Sequence, residues 1–163
     1  MTKSEQLQLR VTPEQKQRIK HLAALAGEDV STWILQKIVP AEAETFRQLI
    51  SALRDHPTDP SFPLAAIHDF LASTPASALE PAVQTCDLRG LDAFQANYLA
   101  AMVELACATR QVTPPDWPRT VPPLDRPWFA STLKGLRLHL LTRSPAPFRR
   151  RNLFIDSSVG DRV

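Results

Sequence analysis

Polar and apolar side chains alternate along residues 6–11, close to the start of the chain. A period of two places the polar side chains on one face of an extended strand and the apolar ones on the other. The polar face consists of Gln6, Gln8 and Arg10. Glutamine and arginine form bidentate hydrogen bonds to adenine and guanine edges in the DNA major groove, which admits a two-stranded ribbon. Because a single short strand leaves its backbone groups unpaired, and no second strand is indicated nearby, we expect it to pair with the same strand of a second copy.

Two short helices are predicted directly after this strand. Residues 12–15 have the sequence pattern of a capping box, with proline at the first helical position. Apolar residues then recur at intervals of three and four up to Gly27, whose tolerance of positive φ ends the helix. A second amphipathic helix begins with Asp29 or Ser31 as its N-cap and ends at Pro40. The predicted unit is therefore strand, helix, tight turn and helix.

The recognisable residues of this unit are the polar strand face Gln6, Gln8 and Arg10, Thr12-Pro13-Glu14 at the first helix start, and Ala26-Gly27 leading into Val30-Ser31. Over residues 5–40 this pattern resembles the ribbon-helix-helix DNA-binding family of the Arc/MetJ type, and within it the short antitoxin-like members. The resemblance implies an intertwined homodimer whose paired strands lie in the major groove of a double-stranded DNA operator. It also implies that the amino end of the second helix, at Val30, Ser31 and Thr32, contacts phosphates, because free amide donors and the helix dipole favour an anion there. On the first helix, Lys16 is expected to attract phosphates without reading bases.

Two features of this unit leave alternatives open. An ordinary edge strand with a solvated face shows the same alternation. Glu28 and Asp29 lie beside the expected phosphate contact, where they either weaken it by facing DNA or cap the second helix. The strand, cap, glycine turn and second helix nevertheless occur together, in the order and at the lengths that the family requires, and this agreement favours DNA binding.

The rest of the chain, residues 41–163, is predicted to form a helical lobe with proline-rich joints. Apolar periodicity predicts helices at 41–54, from 63 to about 71, and at 76–85, 91–110 and 131–142. Between the last two, segment 112–128 is so rich in proline that we expect a stiff, extended conformation. Residues 153–155 are apolar and predict a last short strand. The predicted fold class is therefore mainly α, with a ribbon-helix-helix domain at residues 1–40 and a helical partner-binding domain at 41–163.

Tryptophan and arginine residues of the lobe are its candidate partner-binding residues. Trp117 and Trp128 are costly to leave in water, so they pack either against the lobe or against a partner. Arg149, Arg150 and Arg151 either bind an acidic partner, pair with acidic residues of this chain, or contact DNA phosphates. Residues 112–158 are similar to the C-terminal portion of small bacterial regulators encoded beside nucleotidyltransferase-like toxins. This resemblance implies that the lobe binds such a toxin while the ribbon represses the operon.

Charge is distributed unevenly along the 163 residues. Residues 1–40 carry six Lys/Arg against four Asp/Glu, residues 41–130 carry six against eleven, and residues 131–163 carry seven against two. The resulting charges of +2, −5 and +5 sum to the net charge of +2. The acidic middle is therefore not expected to lie on nucleic acid, whereas either end can.

The sequence contains no catalytic or metal-binding constellation. Its four histidines are dispersed, its two cysteines lack CxxC or Cys/His spacing, and no GxSxG, P-loop or HExxH motif occurs. We therefore expect no enzyme, no metal and no cofactor, and thiols that stay reduced in the cytoplasm. No apolar run is long enough for a membrane span or a secretion signal. Two functions remain: an autoregulating antitoxin that represses its operon and neutralises a toxin, or a stand-alone repressor whose lobe senses a small molecule or merely enlarges the dimer.

Overall fold

The chain divides into two units, Met1–Pro40 and Ala41–Val163. The structure is a computed structural model that describes residue 8, residues 10–38 and residues 41–156. Gln6 and most of the predicted strand therefore lie outside the described residues. Gln8, Arg10 and Val11 are described and are not part of a strand within the single chain, and the ribbon expected from a pair of chains stays a prediction.

Helix α1, Pro13–Leu25, begins at the predicted capping box. The Thr12 hydroxyl accepts a hydrogen bond from the backbone N–H of Gln15 at 3.2 Å, and the Gln15 side-chain oxygen accepts one from the backbone N–H of Thr12 at 2.9 Å. These two bonds satisfy amides that a helix start otherwise leaves unpaired. The helix ends before Gly27, whose φ of 71° is in the left-handed region that glycine adopts without strain. The capping box and the glycine turn are thus both confirmed.

Helix α2, Val30–Ile38, follows this turn and packs against α1. Among the described residues of the first unit, only Ala23 is fully buried. Leu25 is 72% exposed, and Val11, Leu22 and Leu35 are each exposed by more than a third. A single copy of this unit therefore leaves most of the large apolar side chains that the structure describes in it in contact with water.

The second unit is built mainly from four helices and several short elements, as far as the structure describes it. The long helices are α3 (Ala41–Asp55), α4 (Ser61–Ser73), α5 (Ala76–Val83) and α6 (Ala93–Arg110). The short ones are α7 (Trp117–Thr120), α8 (Arg137–Arg143), which a 3₁₀ turn at Lys134–Leu136 precedes, and α9 (Ala146–Arg149). Helix α3 packs on α4 and α5, while α6 contacts α4, α5, α7 and α9. The fully buried side chains at these contacts include Phe46, Leu53, Ile67, Leu79, Leu99, Val103 and Phe148.

A small parallel sheet closes the second unit. Strand β1, Trp128–Phe129, pairs with β2, Leu153–Phe154, with Trp128 opposite Leu153. The predicted short strand at 153–155 is therefore confirmed by β2. Its register is extended by the backbone N–H of Ala130, which donates to the carbonyl of Phe154 at 2.9 Å.

Two predicted elements of this unit differ in the structure. Segment 112–128 is not extended throughout, because the four residues of α7 form a helical turn in its middle. Pro118 is compatible with this turn since it occupies one of the first two helical positions, where no backbone donor is required. The helix predicted at 131–142 begins later, and residues 131–133 precede a 3₁₀ turn instead. There the Ser131 hydroxyl accepts a hydrogen bond from the backbone N–H of Leu133, which competes with helix formation.

Candidate functional site

Three cations of the first unit surround one apolar groove. The groove has a volume of about 450 Å³ and is lined by Arg10, Val11, Lys16, Ile19, Lys20, Val30 and Ile34. Arg10, Lys16 and Lys20 are exposed. The structure thus brings together Arg10 and Lys16, which the sequence singled out separately. It also places Lys20 in this lining. Lys20 lies one helical turn after Lys16, and because residues four apart share one face of a helix, this position could have been predicted from the sequence.

The amino end of α2 already holds an anion, the carboxylate of Asp29. Its Oδ1 accepts hydrogen bonds from the backbone N–H groups of Ser31 at 2.9 Å and Thr32 at 3.2 Å. The Thr32 hydroxyl also donates to its Oδ2. Of the two alternatives left open for Asp29, the structure therefore has the N-cap.

The phosphate contact expected at Val30, Ser31 and Thr32 stays a prediction, and this cap changes what the contact requires. The Ser31 and Thr32 amides are engaged within the chain, so a phosphate reaches them only by displacing a carboxylate of like charge. The side chain of Val30 lies in the lining of the apolar groove. The sequence indicates this cap, because an aspartate two residues before Ser31 is in a favourable position to act as the N-cap of α2.

Trp117 and Trp128 both pack within the second unit, which was the first of the two alternatives given for them. The indole N–H of Trp117 donates to the carbonyl of Val83 at 2.9 Å, and its ring lies on the buried core. The ring of Trp128 lies with its centroid 4.7 Å from that of Phe94 and 6.4 Å from that of Tyr98, and the residue stays 37% exposed. Trp128 is therefore the more exposed of the two, and Trp117 is half-buried.

Arg151 is an internal residue, which corresponds to the second of the three alternatives given for the arginines rather than to the first, partner binding. It is only 6% exposed, and its Nη2 donates to Oε1 of Glu104 at 3.0 Å and to the carbonyl of Pro118 at 2.8 Å. Its Nη1 donates more weakly to the carbonyl of Val121 at 3.4 Å and to Oδ1 of Asn97 at 3.5 Å. A guanidinium that is buried in this way is paired and hydrogen-bonded by its own chain, so it is not presented to a partner.

Arg149 and Arg150 remain exposed beside it. The Nε of Arg150 donates to the carbonyl of Ala146 at 3.4 Å, one turn back along α9. Of the three successive arginines, two thus stay available at the surface, and one is fixed in the interior.

The leucines predicted as the apolar face of a helix at 131–142 lie mostly at the surface. Only Leu140 is buried, at 4% exposure. Leu133 is 65% exposed, while Leu136 and Leu141 are 43% and 42% exposed. The periodicity predicted that these positions are apolar, but no other residues among those that the structure describes bury Leu133, Leu136 or Leu141.

Neither cysteine is part of a reactive or metal-binding group. Cys107 is buried and Cys86 is half-buried, and burial raises the pKa of the Cys86 thiol to about 12. Across residues 10–38 and 41–156, no three His, Cys, Asp or Glu side chains come together in a way that could hold a metal ion. The same part of the chain contains no helix that is both long and apolar enough to cross a membrane.

Residues 4–57 match the family model of antitoxin ParD. The match includes α1, α2 and α3, and it is consistent with the antitoxin segment of the ribbon-helix-helix kind that the sequence resembles. No curated protein and no solved structure gives a significant match to the chain. The similarity of residues 112–158 to regulators encoded beside nucleotidyltransferase-like toxins therefore stays a prediction.

Proposed function

We propose that this protein is a DNA-binding antitoxin that represses its own operon and neutralises a protein toxin. Its residues 4–57 match the family model of antitoxin ParD. The family match is the observation that carries the proposal, since antitoxins of this family pair with toxins and bind DNA as dimers. In this proposal the first unit dimerises and binds the operator. The second unit binds the toxin, which we propose to be nucleotidyltransferase-like.

Dimerisation of the first unit is supported by the apolar side chains that a single copy leaves exposed. Folded units of about 40 residues rarely bury enough surface to be stable without a disulfide, a metal or a partner copy. In this unit Leu22, Leu25 and Leu35 are exposed although Ala23, on the same helix as the first two, is buried. A second copy that paired its strand and covered these side chains would supply the missing core.

Base recognition is assigned to the strand and phosphate attraction to α1. In the paired ribbon, Gln6, Gln8 and Arg10 would face the base edges, which are read through bidentate hydrogen bonds. Lys16 and Lys20 lie on the same groove as Arg10 and would contact phosphates, which position the protein without specifying sequence. The amino end of α2 would contribute less than in a helix with open amides, because Asp29 caps it.

Substitutions at Arg10 and Lys16 test this division. Arg10→Ala is expected to cost about 1 to 3 kcal/mol at the cognate operator and to relax the base preference at one position. Lys16→Ala is expected to weaken binding to all sequences alike and to lower the slope of log affinity against log salt by about one for each copy of the chain. The matched control is Lys134→Ala in the second unit. Operator fragments are selected with the purified full-length protein and titrated at fixed salt, and equal binding by wild type and Arg10→Ala would contradict the proposed recognition.

Toxin binding is tested by co-expression with the product of the adjacent gene. The full-length chain is expected to form a stoichiometric complex with that product and to restore growth of cells that express it. Trp128, Arg149 and Arg150 are the predicted partner-binding residues that keep exposed surface for this contact. Failure to form a complex and to restore growth, with operator binding intact, would leave the stand-alone repressor as the function.

A further inference from the structure

Large apolar side chains of the second unit are exposed almost entirely in one short segment. In the described part of this unit they are Phe62, Trp128, Leu133, Leu136, Leu138 and Leu141. All of them except Phe62 lie within residues 128–141, and Leu138 is 72% exposed. We refer to Leu133, Leu136, Leu138 and Leu141 as the leucine surface. Several exposed apolar side chains within so short a segment are typical of an interaction site, whereas a single one such as Phe62 is ordinary.

A groove lies at one side of the leucine surface. It has a volume of about 310 Å³ and is lined by Ala130, Ser131, Leu136, His139, Leu140 and Asp156. At its polar end, Nε2 of His139 lies within hydrogen-bonding distance of Oδ2 of Asp156, at 2.9 Å. This volume is at the lower limit of sites that take small molecules. It is suited to a single large apolar side chain, the kind of anchor that dominates protein interfaces.

The charges within the segment that carries the leucine surface are of one sign, and the groove beside it contains one carboxylate, that of Asp156. Residues 126–155 contain no Asp or Glu. Lys134, Arg137 and Arg143 are exposed among the leucines. The guanidinium carbon of Arg137 lies 5.2 Å from the centroid of the Phe129 ring, which holds this cation in a defined position. A partner that covers the leucines would therefore also meet fixed positive charge.

We propose that the leucine surface and its groove are the docking site for the protein partner, through an apolar segment that carries carboxylates. The proposal rests on the toxin-binding function proposed above and assigns its contact. One apolar side chain of the partner enters the groove, and its carboxylates pair with Lys134, Arg137 and Arg143. A nucleic acid would neutralise the cations but leave the leucines in water, and a flat lipid surface would not fill the groove.

The experiment uses the full-length chain and the product of the adjacent gene. Leu138→Asp is expected to weaken the complex at least about 30-fold, because it places a charge in the apolar contact and repels the partner's carboxylates. Phe62→Asp is the matched control, since Phe62 is 83% exposed and lies outside the leucine surface. Arg137→Glu is expected to lower the association rate about tenfold at low salt, whereas Arg119→Glu, in α7, is expected to change it little. Unchanged circular dichroism and operator binding verify that each variant is folded.

The outcomes separate the docking site from the function on which it rests. If wild type and Leu138→Asp bind the gene product equally, the docking site is overturned and toxin binding stands. If the wild-type chain forms no complex with it, the toxin-binding function is overturned, and the docking site with it. If the leucine variant keeps the complex but loses co-sedimentation with vesicles of phosphatidylserine and phosphatidylcholine, the surface binds lipid and the proposal is wrong.

Discussion

Replacing Asp29 by serine is expected to strengthen DNA binding, although it removes a side chain that stabilises α2. The carboxylate of Asp29 accepts the backbone N–H groups of Ser31 and Thr32, which the ribbon-helix-helix resemblance assigns to phosphate. Serine is also a good N-cap, so it keeps a hydrogen bond at this end of the helix while removing the negative charge. The substitution thus separates the capping of α2 from its electrostatic effect on DNA.

The magnitude follows from the distance at which a phosphate would approach. Two like charges about 4 Å apart repel by about 1 kcal/mol in water, and by more where solvent is partly excluded. Removing this repulsion corresponds to roughly fivefold tighter binding for each copy, and to about 25-fold for a dimer in which both helices contact phosphate. The same change removes a favourable charge from the helix dipole, so the free energy of unfolding should fall by about 0.3 to 1 kcal/mol. DNA affinity and stability are therefore expected to move in opposite directions.

Fluorescence anisotropy with labelled operator DNA, repeated at several salt concentrations, measures the first effect, and denaturant unfolding measures the second. The control is Asp116→Ser, because Asp116 lies in the second unit and its side chain is 91% exposed. The gain in affinity should shrink as salt rises, since screening weakens the repulsion that the substitution removes. Weaker or unchanged DNA binding by Asp29→Ser at low salt would show that phosphates do not approach this end of α2.

Three further predictions concern the second unit. Arg151→Met should lower the free energy of unfolding, measured by urea denaturation, by about 3 kcal/mol, because it leaves the nearly buried carboxylate of Glu104 without its partner. A loss below about 1 kcal/mol would mean that the ion pair contributes little to stability. Gly90→Ala should cost about 1 to 3 kcal/mol, since Gly90 has a φ of 82° and an added Cβ would lie 2.9 Å from Cδ of Arg54. Gly27→Ala is its control, as a Cβ there meets nothing within 4 Å, and equal costs for the two would exclude a steric effect of Arg54. Cys86, whose pKa is raised to about 12 by burial, should react with iodoacetamide at pH 8 at least about 100-fold more slowly in the folded chain than in the unfolded one, and comparable rates would contradict that burial.

The parts of the fold that local sequence determines could be predicted. The capping box at Thr12 and Gln15 forms between residues three apart, so its pattern is complete within the sequence. The longest helix was predicted at 91–110 and is observed as Ala93–Arg110. Its start also carries a capping box at Asp92, which the apolar periodicity alone did not reveal.

The points that the sequence left open depended on what covers a residue in three dimensions. Arg149, Arg150 and Arg151 look alike in the sequence, but only Arg151 follows α9 at a point where its side chain enters the interior and meets Glu104. The leucines of α8 show a clear apolar pattern, and that pattern predicts hydrophobic positions without indicating whether the chain itself buries them. Asp29 illustrates a third case, in which two local interpretations had similar support and only the hydrogen bonds decided between them.

The buried Arg151 also has a consequence for the order in which the protein becomes structured during synthesis. Its guanidinium joins segments that are 47, 33 and 30 residues earlier in the chain, at Glu104, Pro118 and Val121. These segments can therefore be joined only after residue 151 has been synthesised, whereas the local hydrogen bonds of α1 and α2 involve residues close in sequence. A nascent chain halted before codon 151 would carry the helices of the first unit complete, together with a second unit that has not closed.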